Sequence, residues 1–189
     1  MFQTFDTTSS PDQGPPRLAA LRQEIAAEGL DGFIVPLADQ HQGEYVAACD
    51  KRLEWLTGFT GSAGFCVALA DRAGVFVDGR YRVQVKAQIA PDFTPVEWPE
   101  TKLGDWLAAS LPDGGRVGFD PWLHTLGEIE AVEARLKGTG IELVESDNLV
   151  DRIWPDRPDR PCEPVTRYPD DMAGETDAEK RGRLAAALR

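Results

Sequence analysis

Short apolar runs alternate with segments of helical periodicity along most of the chain. Apolar or β-branched runs bounded by Gly, Pro or Asp are typical of buried strands, whereas apolar residues three or four apart are typical of helices. The runs predict strands at 31–36, 65–70, 74–77, 93–98, 116–119 and 141–144. The periodic segments predict helices at 17–28, 52–56, 81–89, 103–111 and 126–136.

This order of elements predicts the fold class. Strands that alternate with helices indicate an α/β layer architecture. The runs 65–70 and 74–77 are separated by only a few residues around Asp71-Arg72, which favours an antiparallel hairpin. We therefore expect an α/β domain whose β-sheet is mixed and flanked by helices.

Both ends of the chain differ from this pattern. Residues 1–16 are polar and rich in Pro and Gly, without the basic and apolar regions of a signal peptide, and predict a disordered tail. Residues 155–170 are dense in Pro and charge, which predicts an extended linker. Thr176 and Glu179 have the spacing of a helix-capping box. The expected organisation is a domain over 17–154, the linker, and over 171–189 the first helix of a truncated second domain.

Composition narrows the function classes. The 189 residues include 32 acidic and 20 basic side chains, a formal charge of −12, which disfavours binding to nucleic acids and anionic membranes. No run approaches the roughly 20 apolar residues of a membrane-spanning helix. Three cysteines without C-x-x-C spacing favour a reducing cytoplasm over a disulfide framework or a zinc knuckle.

The long polar loop at 37–50 contains a possible metal motif. His41 and Glu44 have H-x-x-E spacing, with Asp39 nearby, but the only other histidine of the chain, His124, lies on a separate segment. A zinc site uses three or four well-placed ligands. We therefore favour a hydrogen-bonded loop over a metal site, and we expect no metal ligands in this chain.

Two further segments have turn chemistry. Gly58, Gly61 and Gly64 match neither a dinucleotide fingerprint nor a Walker loop, which favours a tight turn with close backbone approach. Asp78-Gly79-Arg80-Tyr81 is also a turn signal, in which Asp78 can cap the following helix. Arg80 can pair with an internal carboxylate or reach outward to an anionic group, and the residues alone leave both open.

Several segments together resemble a known family. In order and spacing they are similar to the N-terminal domain of three-domain Xaa-Pro aminopeptidases (aminopeptidase P), and the resemblance covers residues 17–189. The segments are Asp39-Gln-His-Gln-Gly-Glu-Tyr45, Cys49-Asp-Lys-Arg52, Thr57-Gly-Phe-Thr-Gly-Ser-Ala-Gly64, Val77-Asp-Gly-Arg-Tyr-Arg-Val-Gln84, Arg116-Val-Gly-Phe-Asp-Pro121, Asn148-Leu-Val-Asp-Arg-Ile-Trp154 and Arg157-Pro-Asp-Arg-Pro-Cys-Glu-Pro164.

The resemblance implies a fold and an activity. It implies the creatinase/prolidase N-terminal fold, with a ribonuclease-H-like layout. Full-length members release the N-terminal residue from X-Pro peptides with two divalent metal ions, usually manganese, bound by a C-terminal domain. The resemblance thus implies a non-catalytic domain, inactive alone, of a cytoplasmic metallopeptidase. In such an enzyme the domain contributes to homodimer formation and substrate access. Alternatives are a catalytically inactive protein-binding domain, as in histone-chaperone relatives, and a creatinase or prolidase relative.

The resemblance also suggests residues at the substrate entrance. No residue here matches a catalytic position. The candidates for lining an interdomain or intersubunit entrance are His41, Glu44, Tyr45, Arg80 and Tyr81. The alternative is structural: Asp78, Arg80 and Glu44 would instead support the turn over 58–64. The family often has Ser where Gly43 stands, which weakens any hydroxyl-dependent role at that position.

Overall fold

A six-stranded mixed β-sheet organises the fold, in a computed structural model that describes residues 9–188. Every predicted strand is present, and no predicted bound differs from the observed one by more than one residue. The strands are β1 Gly32–Pro36, β2 Phe65–Leu69, β3 Ala73–Val77, β4 Thr94–Glu97, β5 Gly115–Phe119 and β6 Ile141–Glu145.

The strand order is β4-β3-β2-β1-β5-β6. β2 pairs antiparallel with both β1 and β3, whereas β1–β5, β5–β6 and β3–β4 are parallel. The prediction of a mixed sheet with a hairpin is confirmed. Because only β2 runs the other way, the carboxyl ends of five strands and the beginning of β2 lie at one edge, which we call the carboxyl edge.

Helices cover both faces of the sheet. Leu21 of the first helix and Leu53 of the second belong to one core cluster, and Leu107 and Leu136 belong to the cluster on the opposite face. All four side chains are at least 96 % buried. The helices are α1 Gly14–Ala27, α2 Arg52–Thr57, α3 Arg82–Gln88, α4 Leu103–Ser110, α5 Leu126–Leu136, α6 Leu149–Ile153, α7 Asp170–Ala173 and α8 Asp177–Ala187.

The amino-terminal region is more regular than its composition suggests. A 3-10 turn at Pro11–Gln13 leads directly into α1, so residues 11–16 are helical where a disordered tail was expected. Pro15 and Pro16 lie in the first turn of α1, where a missing backbone N–H leaves no hydrogen bond unmade. Residues 1–8 of the predicted tail lie outside the described residues.

The carboxyl-terminal region follows the predicted order. Residues 155–169 contain no helix or strand, and α8 begins at the predicted cap, where Thr176 and Glu179 form a capping box. The sequence pattern missed two short helices, α6 and α7, which span five and four residues. No helix between residues 9 and 188 is both long enough and apolar enough to cross a bilayer. That α8 opens a second domain stays a prediction.

Candidate functional site

The carboxyl edge gathers the polar segments that the sequence singled out. The loop 37–50 follows β1, residues 78–81 follow β3, and the glycine-rich segment 58–64 leads into β2. Side chains after parallel strands meet at one edge of a sheet, which is where open α/β sheets form their binding crevices. All five predicted entrance residues lie in these loops.

Asp39 shapes the loop after β1. Its side chain is 8 % exposed, and its Oδ1 accepts hydrogen bonds from the backbone N–H groups of His41 (2.9 Å) and Gly43 (3.0 Å). The Gly43 hydrogen bond is the main reason that the pKa of Asp39 lies below its ordinary value. Gln42 between these donors has a φ of 53°, in the left-handed region. The carboxylate therefore holds a tight turn, as the hydrogen-bonded-loop interpretation expects.

The remaining loop residues face solvent or a cavity. His41 lines a polar cavity of about 570 Å³ together with Asp39, Arg52, Asp120 and Trp122. Tyr45 is 88 % exposed, and Glu44 is exposed beside it. Within residues 9–188, no group of three or more His, Cys, Asp or Glu side chains could hold a metal ion. The residues present do not fit a metal pair.

The turn after β3 is held by its own side chains. The guanidinium of Arg80 donates to the Asp78 carboxylate at 2.7 Å, and the Arg80 backbone N–H donates to it at 2.9 Å. The Arg80 side-chain hydrogen bond is the main cause that lowers the pKa of Asp78. Asp78 does not cap α3, which begins at Arg82, so that prediction is wrong: its carboxylate is used within the turn. The sequence left open whether Arg80 pairs with an internal carboxylate or reaches an external anionic group. In the structure it pairs with the carboxylate of Asp78.

Tyr81 joins this turn to the glycine-rich segment. Its hydroxyl forms a 2.6 Å hydrogen bond with Ser62 Oγ, and its ring packs edge-on against Phe59 at 5.7 Å. No ion pair in the described part of the chain joins Glu44 to Arg80. Tyr81 thus supports the turn over 58–64, while Glu44 belongs to a separate loop. The structure places the five candidates at one edge but in two groups.

The glycine-rich segment is a tight turn, as its spacing predicted. Gly58 ends α2 with a φ of 83°, and a Cβ there would lie 2.6 Å from the carbonyl oxygen of Gln88. The backbone N–H of Thr60 donates to Gln88 Oε1 at 3.0 Å. The loop therefore lies directly against α3, and nothing in this arrangement forms a phosphate cradle.

A buried ion cluster was not visible in the sequence. Arg52, whose side chain is 4 % exposed, donates to both carboxylate oxygens of Asp151 at 2.6 and 3.0 Å and to Asp50 at 3.1 Å. Arg157 pairs with Asp151 at 2.6 Å and with Asp50 at 3.3 Å. Burial alone lowers the pKa of Arg52, but the hydrogen bonds and charges of the two aspartates outweigh it and raise that pKa. The cluster fixes loop 37–50 to α6 and to the start of the linker.

His124, which follows β5, is the second histidine of the edge. Burial lowers the pKa of its imidazole, although Glu128 and Asp120 act in the opposite direction. Its Nε2 is buried without a hydrogen-bond partner among the described residues. The neutral ring is therefore the stable form in the folded chain near neutral pH.

This environment predicts an acid-dependent loss of stability at His124. Because its folded pKa lies below the value of about 6.5 in the unfolded chain, the unfolded state binds a proton first as pH falls. The contribution of neutral His124 to the free energy of unfolding is complete above a pH of about 6.5 and is lost as the pH falls from there through the folded pKa. We expect an NMR titration of His124 to give a midpoint below that of the urea-unfolded chain. His124→Gln should also flatten the pH dependence of unfolding in this window. A midpoint at or above the unfolded value would contradict the prediction.

Comparison with known proteins agrees with this architecture. The profile of the Creatinase/Prolidase N-terminal domain matches residues 17–153. Xaa-Pro aminopeptidase 2 of Homo sapiens is 38% identical over 166 residues, covering 86% of this chain. Probable Xaa-Pro aminopeptidase P of Neosartorya fischeri is 40% identical over 197 residues, covering 99% of this chain.

A solved structure extends the likeness to three dimensions. X-prolyl aminopeptidase from Caenorhabditis elegans, described as a cytosolic enzyme with a di-nuclear active site, superposes with a TM-score of 0.80 and 31% identity. The match covers 93% of this chain and 31% of that protein. The chain also spans only 25% and 28% of the human and fungal relatives.

Proposed function

Because this chain belongs to the Creatinase/Prolidase N-terminal domain family, we propose that it is the non-catalytic N-terminal domain of a metal-dependent Xaa-Pro aminopeptidase. The parent enzyme would release the N-terminal residue from X-Pro peptides in the cytoplasm. The aminopeptidase relatives support the activity, and the C. elegans enzyme, described as cytosolic, supports the location.

One observation carries the role of the domain. His41, Glu44, Tyr45, Arg80 and Tyr81 lie at a single edge, where Asp39 and Asp78 hold the turns, and these described residues form no nucleophile, acid–base pair or metal site. An edge with exposed side chains beside hydrogen-bonded turns can bound an entrance without taking part in the reaction. We propose that this edge narrows access to a catalytic pocket built from other residues.

The metal chemistry would then belong to the rest of the parent enzyme. Two divalent ions, with manganese as the expected metal, would polarise the scissile carbonyl and supply a hydroxide there. The residues of this chain would bound the route by which a peptide reaches that centre. We further propose that the parent enzyme is a homodimer, in which this domain contributes to the subunit contact.

Edge variants of the parent enzyme test the access role. Tyr45→Ala and Arg80→Ala should change kcat/KM for long X-Pro peptides by about three- to tenfold relative to an X-Pro dipeptide, because only the long substrate contacts the entrance walls. Kinetics with the two substrates measure this ratio. Lys137→Ala is the matched control. It removes an exposed cation that follows the last residue of α5, whereas the first residues of α5 lie at the carboxyl edge. An unchanged ratio in both edge variants would contradict the access role.

A further inference from the structure

We propose that the apolar cavity between the carboxyl ends of β1 and β5 binds a small carboxylate with an apolar, ring-sized body. This cavity is separate from the polar one that His41 lines, and it has a volume of about 450 Å³. It lies on the face of the sheet that α4 and α5 cover. The inference concerns residues of this chain alone and does not depend on the proposed aminopeptidase role.

The position in the sheet is the first argument. From β1 the chain continues to β2 on one side, and β5 is added later on the other side, so the strand order reverses at β1. A crevice opens outside the carboxyl ends of strands at such a switch point and is a common ligand site of open α/β sheets. Pro36 at the end of β1, Leu37 directly after it, and Leu123 after β5 line the cavity.

The walls are built for an apolar body. Phe65 and Trp98 line the cavity and meet edge-on at 6.4 Å, and Phe65 in turn stacks on Phe76 at 4.4 Å. Leu103 and Ile129 add aliphatic surface from α4 and α5. Trp98 is still 37 % exposed, so apolar area is available for a ligand to cover. A volume of this size suits a small molecule rather than a protein segment.

The polar groups of the cavity decide the charge of the ligand. Lys102 lines the cavity and forms no ion pair or hydrogen bond through its ammonium group within residues 9–188. His124 also lines it, but its Nε2 is fully buried, and a ligand in the cavity does not reach this nitrogen. A carboxylate of a ligand would instead pair with the ammonium group of Lys102.

The other charged groups of the lining are already engaged. Glu128 accepts a hydrogen bond from the Thr125 backbone N–H at 2.8 Å, as part of the cap of α5. Arg135 pairs with Asp105 at 3.1 Å. Of the charged side chains in the lining, Lys102 is therefore the cationic group that remains available to a ligand. A negatively charged head group with an apolar body matches this set, whereas an amine would meet Lys102 as a like charge.

A titration with matched probes tests the proposal. The ¹⁵N-labelled 189-residue chain is titrated with 3-phenylpropionate up to about 10 mM, a range that detects even millimolar affinity. We expect saturable shifts confined to the cavity lining, and weaker binding of 3-phenylpropylamine and 3-phenylpropanol by at least about fivefold, because they lack the charge-assisted contact. No saturable shift, or equal binding of all three probes, would overturn the proposal.

Two variants locate the site. Lys102→Gln should weaken 3-phenylpropionate binding at least about fivefold, whereas Lys137→Gln, at the opposite end of α5, should leave it unchanged. Ile129→Trp should fill the cavity and abolish binding. Lys102→Gln alters a partly exposed side chain without a partner, so it keeps the test valid if Ile129→Trp does not fold. Unchanged affinity in Lys102→Gln, or an equal loss in Lys137→Gln, would overturn the assignment.

Discussion

Replacing Arg52 with Met is expected to lower the free energy of unfolding by about 2–4 kcal/mol, a large part of the stability of a domain of this size. Met keeps most of the side-chain volume, so the loss comes from charge rather than from a cavity. Asp151 and Asp50 would lose the three hydrogen bonds that the buried guanidinium donates. Arg157 would remain as a partner of both aspartates, which keeps the expected loss below that of an entirely unpaired charge.

Urea unfolding followed by circular dichroism measures this effect. Arg80→Met is the matched control, because Arg80 also pairs with an aspartate but its side chain is 66% exposed. Exposed pairs of this kind contribute about 0–1 kcal/mol. An equal loss in the two variants would contradict the prediction. It would show that the buried pairs of Arg52 contribute no more to the free energy of unfolding than an exposed pair does.

Gly58→Ala is expected to destabilise the chain by a similar amount, about 2–4 kcal/mol. Two effects add here. A residue with a Cβ is strained by about 1–2 kcal/mol in the left-handed conformation that Gly58 adopts at the end of α2. The new methyl group would also lie 2.6 Å from the carbonyl oxygen of Gln88, so either the turn or α3 must shift.

Gly79→Ala provides a matched comparison for this variant. Gly79 also lies in a turn at the carboxyl edge, but no heavy atom lies within 4 Å of a Cβ built there. Its substitution should change stability by less than about 0.5 kcal/mol. The midpoints of thermal or urea unfolding compare the two directly. A Gly58→Ala variant as stable as Gly79→Ala would show that the turn does not need the close approach.

The pattern of the sequence predicted the sheet well because the signals were local. Each strand is a short apolar run between turn residues, and the hairpin of β2 and β3 follows from the few residues that separate them. The helices α6 and α7 were missed because each is a single turn, and α7 lies at the end of a Pro-rich segment that was interpreted as an extended linker. Pro16 was recognised as a possible helix start, but Gly14 and Pro15 were assigned to the tail, because Pro and Gly usually indicate loops although both are compatible with a helix start.

The candidate site was predicted only in part, because its contacts are not local. Tyr81 was singled out in its turn, but its hydrogen bond to Ser62 depends on the pairing of β2 with β3. Arg52 and Asp151 are 99 residues apart, and nothing in the local pattern of either segment indicates the other. Both residues lie in segments that the family resemblance rests on. The resemblance therefore singled out the two segments, but it did not indicate that Arg52 and Asp151 are in contact. The entrance role of the five candidates stays a prediction.

An activity assay of the isolated chain tests the central claim most directly. The purified 189-residue protein is incubated with manganese and an Ala-Pro peptide, and released alanine is measured against a manganese-only blank. If the reaction centre is built from residues outside this chain, alanine release should equal the blank. Proline-dependent release that a chelator abolishes would contradict the account, because it would place the catalytic centre within these residues.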